Sequence, residues 1–377
     1  MTTMTLPPSA GRPATEADRS RLVARLRNQA TSAADLGSPM YATLLRGAAT
    51  DVDLGGPCWR VMSGFADQPD SQALPLRFMA GVHRLVLRRH APALAMHYPS
   101  VGGTAGLEGL WSTFLSTVAN HAEELIELTG LPCQTNEVGR SAALGPGLAW
   151  LAAQHDLPLH HREIGTSAGL NLRWDAFRYG TTDGTSTWGP ADSPVDLVGH
   201  WVDPPTDLPT TVEVASREGC DPNLLDPASQ DDRETLTAAV WADMPARHGR
   251  LKGALALAEA IPATTTRAGA GEWLADVLPD RPDGLTVVSH SVVWRYVPTD
   301  EQDAVIRLLD DVGGSATASS PLVWLRLEPR PPAMVYDGTP YPLLATTWPG
   351  GETVELGVAQ AHGQDLRWSP RPFVPDS

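Results

Sequence analysis

The sequence has few cysteines, few basic side chains and no long hydrophobic run, and each shortage argues against a class of protein. Its three cysteines, Cys58, Cys133 and Cys220, form no CxxC pair, which argues against structural zinc and a disulfide framework. No apolar run reaches the roughly 18 residues of a membrane span, so we expect no membrane partner. Because 28 basic residues stand against 44 acidic ones, for a net charge of −16, the surface repels phosphate backbones, and we expect no nucleic-acid partner.

The beginning of the sequence lacks the features of an export signal. Residues 1–16 contain no basic segment followed by an apolar stretch, so we expect a disordered leader and a cytoplasmic location. We also expect no metal, because His97 has no carboxylate partner at ligand spacing. His160 and His161 are neighbours in a predicted strand, where successive side chains point to opposite faces.

Residues 17–132 have the apolar spacing of helices and no alternating strand pattern. Helices are predicted over 17–33, 38–49, 75–91 and 104–129. Leu22 and Leu26 fall on one face of the first, and Ser38 before Pro39 is a favoured start for the second. We therefore expect an all-helical N-terminal domain over 17–132.

Residues 133–377 alternate between short apolar segments and helical patterns. Strands are predicted over 157–164, 210–215, 263–267, 285–290 and 321–328, helices over 136–154, 169–178, 271–277 and 299–312, and a hairpin joining 342–348 to 352–360. Residues 180–209, rich in Gly, Pro, Asp and Thr, are interpreted as an inserted hairpin or lid.

This alternation predicts an α/β fold, with a doubly wound, mainly parallel sheet that ends in a C-terminal antiparallel hairpin. It is a Rossmann-like order, and it is similar to the strand order of class I S-adenosylmethionine-dependent methyltransferases. The fold would be preceded by the helical domain.

Several motifs together resemble the Domain of Unknown Function 2332 family. They are TNEVGR (135–140), EIGTSAGLNL (163–172), REGCDPN (217–223), VVSHSVVWRYVP (287–298), WLRLEP (324–329) and AHGQDLRW (361–368). The resemblance covers roughly residues 17–369. It implies an architecture similar to the methyltransferase fold and carries no activity over to this chain.

The segment after the first predicted strand is similar to the first motif of methyltransferases, E-x-G-x-G-x-G. Glu163, Gly165, Ser167 and Gly169 take the places of the acid and the three glycines, with a serine for the middle glycine. Glycines let the backbone approach a cofactor, and the acid can bind a methionyl amino group. We expect these residues and Asn171 to bind S-adenosylmethionine, while a tight turn without a ligand stays an alternative.

Asp221 follows the second predicted strand and completes the predicted cofactor site. An acid there would accept hydrogen bonds from ribose hydroxyls. The alternative is an Asx-turn made by Asp221 with Asn223.

Residues after the strongest predicted strand are candidates for the chemistry. His290 is the candidate general base and Trp294 the second catalytic candidate, because both follow the strand 285–290 toward the crevice of a doubly wound sheet. Ser291 is a predicted substrate contact. So are Asn136, Glu137 and Arg140 at the start of helix 136–154, where a helix cap and a surface pair of charges are the alternative interpretation.

The letters around Ser167 also spell G-x-S-x-G, the elbow of a serine hydrolase. Ser167, Glu328 and His362 follow the order serine, acid, histidine of that fold. The largely helical residues upstream argue against it, and Gly102-Gly103 is the only local candidate for an oxyanion loop.

The sequence thus predicts an S-adenosylmethionine-dependent, methyltransferase-like protein that acts on a small molecule. A serine hydrolase and a non-catalytic binding protein with a nucleotide fold stay as alternatives, so catalysis itself is left open. The residues indicate neither the methyl acceptor nor an oligomeric state.

Overall fold

The computed structural model describes residues 14–132, 134–330 and 338–374. All strands of these described residues lie between Leu159 and Pro372. Two units result. The first combines Met1–Thr135 with Ala228–His248, and the second combines Asn136–Pro227 with Gly249–Ser377. Residues 228–248, which the sequence pattern grouped with the α/β part, therefore belong to the first unit.

Helices are distributed over both units. They are α1 (Glu16–Asp35), α2 (Pro39–Asp53), α3 (Pro57–Met62), α4 (Leu74–Leu87), α5 (Pro92–Ala95), α6 (Leu110–Asn120), α7 (Ala122–Thr129), α8 (Ser141–His155), α9 (Gln230–Ala239), α10 (Pro245–Ala260), α11 (Ala270–Val277) and α12 (Thr299–Gly313). The first unit contains α1 to α7, α9 and the beginning of α10, and its described residues form no strand.

Local signals explain where the first helices begin. The Ser38 hydroxyl accepts the Tyr41 N–H ahead of α2, with Pro39 in the first turn, as the sequence predicts. The predicted helix 104–129 is two helices, α6 and α7, which meet at His121. Apolar faces of these helices form one buried core, in which Phe78 and Phe114 meet edge to face at 6.0 Å.

The second unit is built on one mixed sheet. Its strands are β1 (Leu159–Ile164), β2 (Arg178–Thr181), β3 (Thr187–Trp188), β4 (Asp196–Asp203), β5 (Val214–Cys220), β6 (Thr264–Thr266), β7 (Leu285–Ser291), β8 (Leu322–Leu327), β9 (Tyr341–Trp348), β10 (Glu352–Ala359) and β11 (Leu366–Pro372). The spatial order is β3-β2-β4-β11-β10-β9-β8-β7-β1-β5-β6.

Five neighbouring strands of this sheet, β6-β5-β1-β7-β8, are parallel. Next to β8, the strands β9, β10 and β11 run alternately antiparallel. The sheet continues with β4 and β2, which pair in parallel, and closes on the antiparallel β3. The predicted α/β class, with a mostly parallel sheet and an antiparallel hairpin at β9–β10, is therefore confirmed.

Helices cover both faces of the parallel strands. Leu322 and Trp324 of β8 pack into a cluster with α11 and α12. Leu325 points to the other face because side chains alternate along a strand, and a Cβ on Gly147 of α8 would lie 3.4 Å from it.

Several predicted elements differ from the structure. The strand predicted at 210–215 is β5, which runs to the buried Cys220 because its second half pairs in register with β1. The helix predicted at 169–178 is a 3-10 segment, Leu170–Ala176. The insertion 180–209 is not a separate lid, because β3, β4 and the end of β2 join the sheet. Among the described residues, no helix has the length and apolar character that crossing a bilayer requires.

Candidate functional site

The strand order reverses at one point of the sheet. From β1 the chain adds β5 and β6 on one side, and then β7 and β8 on the other. In doubly wound sheets, ligands bind outside the carboxyl ends of the strands where the order reverses. The segments that follow β1 and β7 meet at this switch point, and both carry predicted site residues.

The loop after β1 turns sharply. Gly165 and Gly169 have φ angles of +68°, and Ser167 between them has +55°. A Cβ on Gly165 would lie 2.5 Å from Val293 Cγ2, and one on Gly169 would lie 3.0 Å from Thr265 Cγ2. These glycines are therefore required for packing of the loop against other parts of the fold.

Backbone strain is present on both sides of the switch point. Val292, directly after β7, has φ +53°, an outlier for a β-branched residue. Ser167 has the same left-handed conformation after β1. Such residues cost about 1–3 kcal/mol each and cluster at functional sites, so the two outliers favour a ligand site here.

Glu163 is a buried acid at the end of β1. It is 3% exposed, and its Oε2 accepts a hydrogen bond of 2.5 Å from the Thr166 hydroxyl. Burial raises the pKa of its carboxyl to about 7, although Thr166, Arg140 and Arg173 act in the opposite direction. The carboxyl can therefore gain or lose a proton near neutral pH.

Asp221 ties the loop after β1 to the loop after β5. Its Oδ2 accepts the Ser167 N–H at 3.0 Å and its Oδ1 accepts the Asn223 N–H at 2.7 Å. The alternative Asx-turn is thus present in the structure. Both bonds are accepted from backbone N–H groups, so the carboxylate of Asp221 fixes the two loops relative to each other.

The other predicted contacts hold loops together. Asn171 accepts from the Ser141 hydroxyl at 3.0 Å and donates to the carbonyl of Glu137 at 3.3 Å. Asn136 accepts the Leu170 N–H at 2.9 Å. These side chains connect the start of α8 to the segment after Gly169.

Glu137 is buried, so it does not belong to a surface pair of charges as the spacing offered. Glu137 accepts the Gly139 N–H at 3.0 Å and is buried. Arg140 donates to the backbone carbonyls of Ala361 and Ser291, each at 3.2 Å. Arg140 and Ser291 are therefore brought together, through the carbonyl of Ser291.

His290 and Glu328 form a buried pair at the ends of β7 and β8. His290 is 0% exposed, and its Nδ1 lies 2.8 Å from Glu328 Oε1. The same oxygen accepts the N–H groups of Val293 at 3.0 Å and Trp294 at 3.2 Å. Because a carboxylate only accepts, this network assigns the proton to Nδ1 and leaves the lone pair on Nε2.

Unsatisfied polar atoms remain on this pair and on the loop after β1. Within the described ranges, His290 Nε2, Glu328 Oε2 and Ser167 Oγ are buried without a hydrogen-bond partner. Trp294 stacks on the imidazole of His290 at 4.8 Å between ring centroids. Other described residues also have buried polar atoms without partners, for example Thr129 Oγ1 and Trp174 Nε1. The three atoms named here favour a ligand site only because they also lie at or directly after the carboxyl ends of parallel strands.

The partner of His290 was not predicted from the sequence. The hydrolase alternative assigned Glu328 to a triad with Ser167 and His362, but Glu328 binds His290. The Ser167 hydroxyl has no bond to a base among the residues that the structure describes. The available signal was position, since His290 lies near the end of β7 and Glu328 directly follows the neighbouring β8. Among the described residues, no group of three or more His, Cys, Asp or Glu is arranged for a metal ion.

The fold and site define an α/β protein with a polar site at the switch point of its parallel strands. A family model described as "Uncharacterized protein conserved in bacteria (DUF2332)" matches residues 23–368, and the chain belongs to this family. The resemblance seen in the motifs is therefore confirmed. No curated protein and no solved structure matches the chain.

Proposed function

We propose that the chain is an S-adenosylmethionine-dependent, methyltransferase-like enzyme that acts on a small molecule, with His290 as the general base. The observation that carries this proposal is the His290–Glu328 pair at a sheet switch point. His290 Nδ1 lies 2.8 Å from Glu328 Oε1, and Nε2 is buried with no partner among the described residues. A histidine held by an acid through Nδ1 and open at Nε2 is arranged to take a proton.

The topology supports the methyltransferase-like part of the proposal. Counted in chain order along the parallel region, β6-β5-β1-β7-β8 is a 3-2-1-4-5 arrangement, which begins the doubly wound order that binds nucleotides. The β9–β10 hairpin follows, as in the predicted fold. The proposal also includes a separate helical domain over residues 17–132, ahead of the methyltransferase-like part.

The residues present fit an adenosyl ligand through their polar groups. The Ser167 hydroxyl is buried without a partner on the loop between Glu163 and Asp221, whose strands β1 and β5 are neighbours. Glu163, Ser167 and Asp221 would hold the ligand, and S-adenosylmethionine would supply an electrophilic methyl group. Gly165 and Gly169 allow the backbone to turn, but they leave no open space for a ligand, because Val293 and Thr265 lie against them.

His290 and its neighbours would prepare the acceptor. Nε2 takes the proton of an acceptor hydroxyl or amine, and Glu328 stabilises the imidazolium that results. Trp294 covers one face of the ring and limits its contact with water. The net charge of −16 favours a small molecule over a nucleic acid as partner. A cytoplasmic location completes the proposal.

Thermal unfolding with S-adenosylmethionine, and separately with S-adenosylhomocysteine, tests the cofactor. A ligand at 100 times its Kd stabilises the protein by roughly 2.7 kcal/mol, and Asp221→Asn should reduce the shift. Calorimetry that detects no heat of binding at millimolar S-adenosylmethionine would remove the cofactor from the proposal.

A second candidate function, serine hydrolysis, is favoured by one observation. Ser167 combines φ +55° with a buried, unbonded hydroxyl in a G-x-S-x-G turn, as at a nucleophile elbow. Ester hydrolysis that disappears in a folded Ser167→Ala variant would support it. If neither ligand binding with turnover nor hydrolysis is found, the binding-protein alternative gains support.

A further inference from the structure

A serine and a histidine also meet in the helical unit, far along the chain from the site described above. His83 of α4 is 0% exposed. Its Nε2 lies 2.8 Å from Ser100 Oγ, and its Nδ1 lies 3.2 Å from the carbonyl oxygen of Ala238 in α9. A nucleophile, a base and a group that orients the base thus lie within hydrogen-bond distance in series.

The partners fix the tautomer of His83. Nδ1 lies 3.2 Å from the carbonyl of Ala238 and 3.5 Å from the Tyr41 hydroxyl. The closer partner, the carbonyl, only accepts, so we assign the proton to Nδ1. Burial lowers the pKa of His83 to about 3, so the ring is neutral and Nε2 has a lone pair. The Ser100 hydroxyl therefore donates to Nε2, which is the direction of the bond in a resting serine–histidine pair.

A second, independent observation is an unused hydroxyl beside this pair. Tyr98 is fully buried, and its ring lies 5.4 Å from the imidazole of His83. Its hydroxyl has no hydrogen-bond partner in the part of the chain that the structure describes. A buried phenol without an acceptor costs about 1–3 kcal/mol, so an acceptor brought by a bound molecule would stabilise it.

The surroundings of Ser100 indicate the kind of molecule that would reach it. Ser100 is half-buried, and the segment around it exposes three large apolar side chains. Met96 is 60%, Val101 42% and Leu107 49% exposed. Exposed apolar side chains beside a polar group favour a ligand with an apolar chain and one polar centre.

We propose that Ser100 and His83 form an acyl-transfer site that accepts esters of apolar carboxylic acids. Ser100 Oγ bonds to the ester carbonyl carbon while its proton passes to His83 Nε2. The carbon–oxygen bond of the ester then breaks, and the leaving alcohol takes the proton from Nε2. Water attacks the acyl-serine by the same route, which releases the carboxylic acid and restores the Ser100 hydroxyl.

Labelling of the full-length protein with an alkyl fluorophosphonate tests the site, because this reagent replaces its fluoride with a nucleophilic serine oxygen. We expect the adduct on the peptide that contains Ser100. Ser100→Ala should lower labelling at least about 100-fold, the scale of a lost nucleophile and base. Ser112→Ala, an exposed serine of α6 that binds only the carbonyl of Gly109, should label as the unchanged protein does.

Removal of the base gives a further check. His83→Asn keeps a donor for the carbonyl of Ala238 and removes Nε2, so labelling should fall while circular dichroism stays unchanged. If this variant unfolds, the comparison of Ser100→Ala with Ser112→Ala still decides. Absence of labelling, equal labelling of Ser100→Ala, or an adduct confined to Ser167 would each overturn the proposal. The last result would instead favour the hydrolase candidate at the switch point.

Discussion

The helical unit and the α/β unit each bury a histidine, and the two histidines differ in what holds them. His83 and His290 are both 0% exposed. The Nδ1 of His83 faces a backbone carbonyl, whereas the Nδ1 of His290 faces a carboxylate. A carboxylate carries a full charge that attracts an imidazolium, while a carbonyl offers only a dipole. The carboxylate therefore stabilises a protonated ring more strongly at His290, whereas the carbonyl of Ala238 supports one at His83 through its dipole alone.

The other ring nitrogen completes the comparison. Nε2 of His83 is bonded to Ser100, so that site carries its own nucleophile. Nε2 of His290 is without a partner among the described residues, so a nucleophile there would come from the substrate. The two sites are thus suited to different chemistry, covalent in the helical unit and acid–base in the α/β unit.

The largest expected effect comes from changing the partner of His290. Glu328→Gln keeps the shape of the side chain but removes the charge that orients and stabilises the ring. Methyl transfer should fall by about 10⁴-fold, as when the acid of a triad becomes an amide. Turnover measured against Glu352→Gln, an exposed acid of β10, checks this. A loss below tenfold with intact folding would show that His290 is not the base.

Gly165→Ala tests whether the turn at the switch point is as tightly packed as the structure shows. The new Cβ would lie 2.5 Å from Val293 Cγ2 at φ +68°, and we expect a loss of about 3–4 kcal/mol in the free energy of unfolding. Gly184→Ala is the matched control, since Gly184 has φ +69° and nothing within 4 Å. It should cost about 1 kcal/mol. Equal costs in urea unfolding would contradict the packing at Gly165.

Glu163 should make the α/β unit less stable as the pH rises. The folded-state pKa is raised to about 7 from 4.5, so the folded protein binds the proton more tightly than the unfolded chain. This stabilisation is fully present below pH 4.5 and is lost as the pH rises through 7, which amounts to about 3 kcal/mol. Between pH 4 and pH 8, the free energy of unfolding of Glu163→Gln should rise by about 3 kcal/mol relative to that of the unchanged protein. If urea unfolding gives the same difference in free energy between Glu163→Gln and the unchanged protein at every pH, the raised pKa of Glu163 is contradicted.

Local features could be predicted from the sequence, and long-range pairings could not. The turn at Gly165 and Gly169 and the helix start at Ser38 follow from small residues and caps next to apolar segments. The pairing of His290 with Glu328 depends on β7 and β8 being neighbours, which is a property of the whole sheet. Ala238 reaches His83 because residues 228–248 belong to the helical unit, and no local pattern marks that assignment.

The smallest expected effect concerns stability. Replacing Ser100 or Ser167 by alanine should change the free energy of unfolding differently. Ser100→Ala removes the donor to His83 Nε2 and leaves that buried nitrogen unsatisfied, so it should destabilise the protein by about 1–2 kcal/mol. Ser167→Ala removes a buried hydroxyl that has no partner, while the Ser167 N–H keeps its bond to Asp221. It should therefore be neutral or stabilise the protein by up to about 1 kcal/mol.

The two variants can be measured side by side by urea unfolding without ligand. Destabilisation by both would mean that the Ser167 hydroxyl is bonded in solution, and its role as a free polar group for a ligand would be lost. Stabilisation by both would mean that Ser100 does not hold His83. Destabilisation by Ser100→Ala, together with no loss of stability in Ser167→Ala, agrees with a nucleophile already paired in one unit and a hydroxyl that is unpaired until a ligand binds in the other.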